Sequence, residues 1–506
     1  MSVQLSSSVP PLRRRTLHDA PLRPGGGYVL YWMTASRRTR WNFALDRALE
    51  LATELGRPLV VLEALRCDYP WASDRLHRFV LQGMADNARA LSARGVLYHP
   101  YVESEPGGGR GLLARLAQDA CAVVTDDAPQ FFLPRMLEAA AGQVHVHFEA
   151  VDSCGLLPLR ATDRVFARAF DLRRFLQREL GPHLAQAPRP DPLLRVDLPL
   201  LPTLPVDVRR RWPRAEQALL EGDPASLAAL PIDHGVGPVE RVGGARAGRK
   251  ALRAFVEQRL EAYPERRNHP DADGASGLSP YLHFGHLSPH AALHAVGRRE
   301  DWDCSRFGGE GRGARLGWWG MTEAAESFLD ELVTWRELGL NFASKREDID
   351  RYESLPEWAR TTLEEHASDD REHLYDLEQL RNGETHDGLW NAAQAELRES
   401  GCMHNYLRML WGKSILGWSP TPRAALEAMI ELNNRYALDG RDPNSYSGIF
   451  WVLGRYDRAW GPERPVFGKV RYMSSKNTER KLKLNRYLER WGPSQNQARE
   501  ASLELS

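Results

Sequence analysis

Five short apolar runs, at 28–33, 58–64, 96–102, 121–125 and 144–151, alternate with amphipathic stretches in the first third of the chain. This alternation constrains the fold more than any other feature. The runs are rich in β-branched and aromatic residues, as strands buried on both faces are. The segments between them, roughly 41–55, 74–94, 110–119 and 131–142, carry helical periodicity. Strand–helix–strand succession requires crossover connections, hence a parallel sheet, and the right-handed crossover rule makes it a doubly wound, Rossmann-like layer. Beyond Lys250 the strand periodicity ends, and amphipathic helical patterns run to about residue 490. The predicted fold class is therefore α/β followed by all-α, in a chain of 506 residues that is too long for one core.

Composition shifts mark the boundaries. Residues 1–24 combine Ser and Pro with Arg13-Arg14-Arg15 and run into Gly25-Gly26-Gly27. They predict a disordered tail, and the lack of an apolar stretch behind the arginines excludes a secretory signal. An α/β domain is expected over 25–180. Residues 181–245, rich in Pro, Arg and Leu, read as an extended linker, and 246–493 as the helical domain. No apolar run approaches the ~20 residues of a membrane span, so the expectation is a cytoplasmic protein, nucleoid-associated in a bacterium.

Cys67, Cys121, Cys154, Cys304 and Cys402 stand singly, with no C-x-x-C pair. That excludes a disulfide framework and a zinc or iron–sulfur site, and predicts five reduced packing thiols and no metal. Formal net charge is zero, unlike a general nucleic-acid binder. The basic surplus is local: nine Lys and Arg between 464 and 490 face only Glu479 and Glu489. A solvated helix face and a phosphate track both fit that run. The sheet carries neither a P-loop nor G-x-G-x-x-G, and Gly107-Gly108-Gly109-Arg110-Gly111 reads as a flexible loop.

Four segments of the helical half concentrate polar groups beside aromatics. Tyr263 and Arg267 precede Ser276-Gly277-Leu278-Ser279-Pro280, where amides and hydroxyls beside a helix-initiating proline suit a phosphate or simple capping. Glu331 and Trp335, four apart, share a helix face. Trp390 lies in Thr385-His386-Asp387-Gly388-Leu389-Trp390-Asn391-Ala392-Ala393-Gln394, ahead of Met403-His404-Asn405-Tyr406-Leu407-Arg408-Met409-Leu410-Trp411 and Trp418. Trp411 and Trp418, seven apart, form one helical stripe ~10 Å long. Core packing and an electron relay both satisfy that spacing. The fourth segment holds Asn433, Asp439, Arg441 and Asp442, followed by Trp451, Asp457 and Arg458. So many polar groups are costly to bury without a polar ligand, although an exposed loop would also carry them.

In order and spelling these segments resemble the class II cyclobutane pyrimidine dimer photolyases of the photolyase/cryptochrome superfamily. The matching motifs are S-x-L-S-P-Y-L-H-F-G, W-R-E-L, T-H-D-x-L-W-N-A-A-Q, M-H-x-x-x-R-M-x-W, L-N-x-R-Y-x-L-D-G-R-D-P-N and P-V-F-G-K-V-R-Y-M-S. The resemblance covers most of 25–490. It implies an α/β antenna domain and a helical domain holding FAD, active when fully reduced. The substrate implied is ultraviolet-damaged DNA, whose pyrimidine dimer is flipped out to receive one electron. A deazaflavin or other antenna chromophore, and a monomeric protein, are further implications.

Carried over by motif, Tyr263, Arg267, Ser276, Gly277, Leu278 and Ser279 would hold the FAD phosphates and ribose. Asp439, Arg441 and Asp442 would lie along the flavin and adenine, with Asn433 near the flavin N5. Trp411, Trp390 and Trp418 would relay electrons, Trp418 nearest solvent. Glu331 would hydrogen-bond the dimer, Trp335 and Trp451 would flank it beside Met409, and Arg408, Asp457 and Arg458 would hold the opened duplex. The run after Arg464 becomes a phosphate track.

Three departures stand out: an insertion over 304–321, Tyr456 where relatives carry His, and Lys476-Asn477-Thr478-Glu479-Arg480 in place of a small turn. The last two are expected near the DNA face. The rival readings are a cryptochrome-like light sensor and a (6-4) photolyase using His404. Retention of Glu331, Trp335 and Trp451 favours dimer repair.

Overall fold

Tyr28–Met33 (β2) is wholly buried, as a central parallel strand must be, and anchors a six-stranded sheet of order β1-β6-β5-β2-β3-β4. The computed structural model describes residues 7–492, apart from the Arg195 side chain. The other strands are Arg14–His18 (β1), Leu59–Leu65 (β3), Leu97–Val102 (β4), Ala120–Asp126 (β5) and Phe148–Val151 (β6). Helices Phe43–Leu55 (α1), Asp74–Ser92 (α2), Leu112–Asp119 (α3) and Leu133–Ala141 (α4) are the crossovers. Apolar clusters fill both faces of the sheet, and β2 to β6 run parallel.

Two expectations about the connecting segments are corrected. Within the stretch read as a tail, Arg14–His18 adds antiparallel to β6 as an edge strand. Arg13 is buried there, donating to the Leu156 carbonyl (2.7 Å) and pairing with Asp152. An arginine-rich strand lacks the apolar signature of the others because only one of its edges is paired; residues 1–6 lie outside the described part. The 181–245 segment is not a free connection either. Val208, Trp212, Leu220, Leu227 and Leu230 are buried against the α/β layer, and Trp212 Nε1 donates to the Gly108 carbonyl.

The crevice beyond β2, where a doubly wound sheet usually receives a nucleotide, is filled from within. The amides of Thr34, Ala35 and Ser36 all donate to one oxygen of Asp126, at 2.8, 2.8 and 3.0 Å. This internal carboxylate accounts for the missing nucleotide signature. The loop is instead a docking point: a Cβ on Gly285 would lie 1.8 Å from the Ala35 carbonyl oxygen, and Arg38 donates to the Gly285 carbonyl (3.0 Å).

The helical half includes Ala169–Glu179 (α5), Tyr263–Arg266 (α6), Ser279–His283 (α7), Glu323–Leu329 (α8), Arg336–Lys345 (α9), Gly388–Ser400 (α10), Asn405–Trp418 (α11), Pro422–Tyr436 (α12), Pro443–Val452 (α13) and Asn485–Trp491 (α14). Between α8 and α9 the chain makes a π-helical turn, Asp330–Trp335. Among the described residues no helix is long and apolar enough to cross a membrane. The five cysteines are free, as expected; Cys304 is exposed, so it is not a packing thiol.

The α/β layer and helical half also meet at Glu337, which is buried and accepts from the Leu156 amide at 2.6 Å. Burial lifts its carboxyl from an ordinary 4.5 to about 7, so the native state keeps a proton that the unfolded chain has already released. Stability contributed here is therefore complete below pH 4.5 and lost as pH rises through 7. We expect the parent protein to lose roughly 3 kcal/mol relative to Glu337→Gln between pH 4.5 and 8 in urea unfolding. Parallel pH profiles for the two proteins would contradict this.

Candidate cofactor and electron-transfer site

The helical half encloses a cavity of about 660 Å³, within the ~300–1,000 Å³ typical of small-molecule sites. Its walls bring together Tyr263, Arg267, Ser276, Gly277, Ser279, Glu331, Arg408, Met409, Asp439 and Asp442, from motifs spread over some 180 residues of sequence. Gly277 has φ +69°, a conformation that favours glycine, and its carbonyl accepts from Arg241 at 2.8 Å.

Two ion pairs set the electrostatics. Arg267 Nη1 lies 2.5 Å from Glu331 Oε1, and Arg408 Nη2 lies 3.1 Å from Asp439 Oδ1. Burial outweighs the Arg267 pairing and raises the Glu331 carboxyl above its ordinary value. Burial also acts to raise Asp439, but Arg408 overrides it and keeps that carboxylate ionised. Burial pushes His404, also on the wall, down to about 4. Among the described residues neither of its ring nitrogens has a partner at full hydrogen-bond geometry, although the Arg267 backbone lies close by. A neutral histidine with two orphaned nitrogens, beside paired charges, fits a polar ligand that supplies the missing hydrogen bonds.

Three tryptophans form a continuous file beside this cavity. Trp411 and Trp390 stack with ring centroids 6.3 Å apart and planes 4° from parallel, and Trp390 meets Trp418 edge-on at 5.6 Å. Trp411 and Trp390 are buried, and Trp418 is partly open. Trp411 Nε1 donates to Gln394 Oε1, and Trp390 Nε1 to the Trp411 carbonyl. Trp411 stands three residues after Arg408, so α11 brings the file to within one turn of the wall.

Several sequence-selected residues stand elsewhere. Arg408, assigned to DNA contact, lines the cavity. Arg441 does not: with φ +68° it turns away, donating to the Asn434 carbonyl and lining a small cavity between the domains with Arg37, Tyr69 and His283. Asn433 is buried behind the wall, its amide donating to Ser445 Oγ at 3.0 Å. Leu278 is core. Trp335 and Trp451 are half-buried and do not line the enclosed space. Trp451 lies beside Lys413 and Arg471, and three residues before it Gly448 lies on the wall.

Asp457 is occupied by Arg471 Nε (3.1 Å) and Trp460 Nε1, whereas Arg458 is exposed over Trp460. Tyr456 is interior, edge-on to Phe342, and so is not on an exposed DNA face. The basic run divides. Arg486 and Arg490 line the cavity; Lys476, Arg480, Lys481 and Lys483 stay exposed without an ion pair among the described residues.

Sequence reasoning missed Arg241, Arg259, Glu396 and Tyr487 on the wall. Tyr487 closes it by donating to Glu396 Oε2 at 2.7 Å. Their only signal was polarity at isolated positions, which any surface helix shows.

A second cavity, about 300 Å³, opens at the carboxyl ends of β2, β3 and β4, lined by Trp32, Tyr69, Tyr101, Glu103, Arg110, Phe132 and Met136 among others. It shares Thr34, Arg37 and Tyr69 with the small interdomain cavity that Arg441 faces. Among the described residues no cluster of His, Cys, Asp and Glu could hold a metal.

No family model matches the chain. Individual proteins do. The chain is 35% identical over 474 residues to the deoxyribodipyrimidine photo-lyase of Methanothermobacter thermautotrophicus, covering 92% of this chain and 94% of that one. It is 33% identical to that of Oryza sativa, with 94% and 89% coverage, and 31% identical to that of Potorous tridactylus, with 92% and 81%. Among solved structures, a class III photolyase of Agrobacterium tumefaciens aligns with a TM-score of 0.66 at 16% identity, over 94% of this chain and 87% of that one. A Synechocystis cryptochrome aligns at 0.62 and 17%, over 92% and 88%. Full-length identity above 30%, together with the shared two-domain fold, shows that the chain belongs to the deoxyribodipyrimidine photo-lyase family.

Proposed function

We propose that this protein repairs cyclobutane pyrimidine dimers in ultraviolet-damaged DNA, driven by light, as a class II photolyase acting as a monomer wherever cellular DNA is exposed to it, in cytoplasm or nucleoid. The observation that carries the reading is the joining of two features. One cavity holds Glu331, paired with Arg267, on its wall, and a file of three tryptophans ends one helical turn from that wall.

The donor set suits FAD. Arg241, Arg267, Ser276 and Ser279 provide cationic and hydroxyl groups for its phosphates, Gly277 lets the backbone approach closely, and His404 offers its ring nitrogens. The Arg408–Asp439 pair supplies fixed charges for the ring system, and Asn433 lies behind the wall at Ser445. When bound and fully reduced, FAD supplies on illumination the single electron that opens the cyclobutane ring and accepts it back.

Glu331, on the same wall, would hydrogen-bond the dimer where negative charge develops. Trp335 and Trp451 flank the extruded bases with apolar surface, and exposed Arg458, Lys476 and Arg480 meet backbone phosphates. Trp418, Trp390 and Trp411 would relay electrons inward from an external reductant, such as a thiol, at the partly open Trp418. The cavity of the α/β layer, aromatic on several sides, suits a flat antenna chromophore such as a deazaflavin.

Chemically reduced protein, illuminated with a thymine-dimer oligonucleotide, should restore the absorbance of the base band. No recovery despite bound, reduced FAD would refute the repair reading. In the same assay Trp411→Phe should slow photoreduction at least ~10-fold, the relay being broken at its inner end, while repair by chemically reduced enzyme is retained. Equal loss of both would remove Trp411 from the relay.

A further inference from the structure

The 304–321 insertion was expected only to interrupt the chain between the phosphate-binding motif and Glu331. It does not line the cavity; it packs behind the segment that presents Glu331. That segment, Asp330–Trp335, is π-helical, a geometry rare in regular helices and requiring support from its surroundings. Asp330 and Glu331 are neighbours with opposite assignments. Glu331 faces the cavity, whereas Asp330 is buried against α5, gripped by Arg173 through Nε (2.9 Å) and Nη2 (3.2 Å).

The insertion completes that grip. Arg315 reaches Asp330 at 3.5 Å, and Arg173 Nη1 donates to the Gly313 carbonyl at 3.3 Å. Gln177, one turn along α5, accepts from the Gly313 amide and donates to the Ala314 carbonyl, both at 2.8 Å. Four residues before Asp330, buried Glu326 accepts the amides of Gly317, Trp318, Trp319 and Met321. Trp318 and Trp319 are buried in the main core cluster. The second half of the insertion, from Gly313 to Met321, is thus tied directly or through Arg173 to the two carboxylates just ahead of Glu331.

We propose that the insertion and the Arg173–Asp330 pair form a clamp that fixes the π turn and so aims Glu331 into the cavity. Asp330, Arg173 and Arg315 are positioning residues, acting through Glu331. The inference rests on the repair role proposed for Glu331. Its structural half is independent of that role.

The test is a double-mutant cycle on FAD-loaded full-length protein, reading repair yield at saturating dimer oligonucleotide, together with amide hydrogen exchange over 331–336. Asp330→Asn should lower the yield about three- to tenfold in the parent, have no further effect in a Glu331→Ala background, and speed exchange of those amides. Arg315→Ala, at a largely exposed side chain that tolerates truncation, should act in the same direction more weakly. Equal fractional losses in both backgrounds, or unchanged exchange in both variants, would overturn the clamp. If the parent does not repair, or Glu331→Ala leaves its yield unaltered, the repair role fails, and hydrogen exchange alone decides the clamp.

Discussion

A polar cavity inside a helical bundle is the constraint on which the rest of the helical half depends. Helices pack by burying apolar stripes, and a void lined by arginines, carboxylates and a neutral histidine runs against that tendency. Here the cost is contained by pairing Arg267 with Glu331 and Arg408 with Asp439 along its walls. Each pair joins segments far apart in sequence, so the walls can close only when the motifs converge. What the protein leaves unpaired, chiefly His404, is what a ligand would complete.

The same economy appears in the α/β layer. Its amide nest after β2 is satisfied by Asp126, and the loop so stiffened abuts Gly285 just after α7. A crevice that in other doubly wound proteins receives phosphate thereby becomes the joint between the two halves. The ligand-sized space of this layer lies instead at the carboxyl ends of β2, β3 and β4. Glu337, six residues beyond Glu331, ties the joint to the helix that follows the π turn.

Much of this was legible because burial leaves a strong periodic mark. The five parallel strands announced themselves as continuous apolar runs, and the wall residues Tyr263, Glu331, Arg408 and Asp439 lay in dense polar–aromatic motifs. Edge pairing leaves no such mark: Arg14–His18 is a strand because one side meets β6, not because its side chains are apolar. The direction of a side chain is equally hidden. Arg441 and Asp442 are adjacent in one motif, yet a left-handed backbone at Arg441 sends them to different cavities. Asp457 looked like a surface acid and proved to be saturated by Arg471 and Trp460. The insertion gave no periodic signal because its order comes from amides donated to Glu326, a contact decided by tertiary structure.

On the proposed function, a flavin would sit in one cavity between the tryptophan file and the Glu331 wall. A crystal structure of the protein loaded with FAD tests this placement most directly. FAD should lie folded within the helical cavity, with its phosphates among Arg241, Arg267 and Ser276, and its ring system beside the Arg408–Asp439 pair with the Glu331 side open. FAD extended across the surface, lodged in the α/β layer, or seated with its ring system away from Arg408 and Asp439 would contradict it.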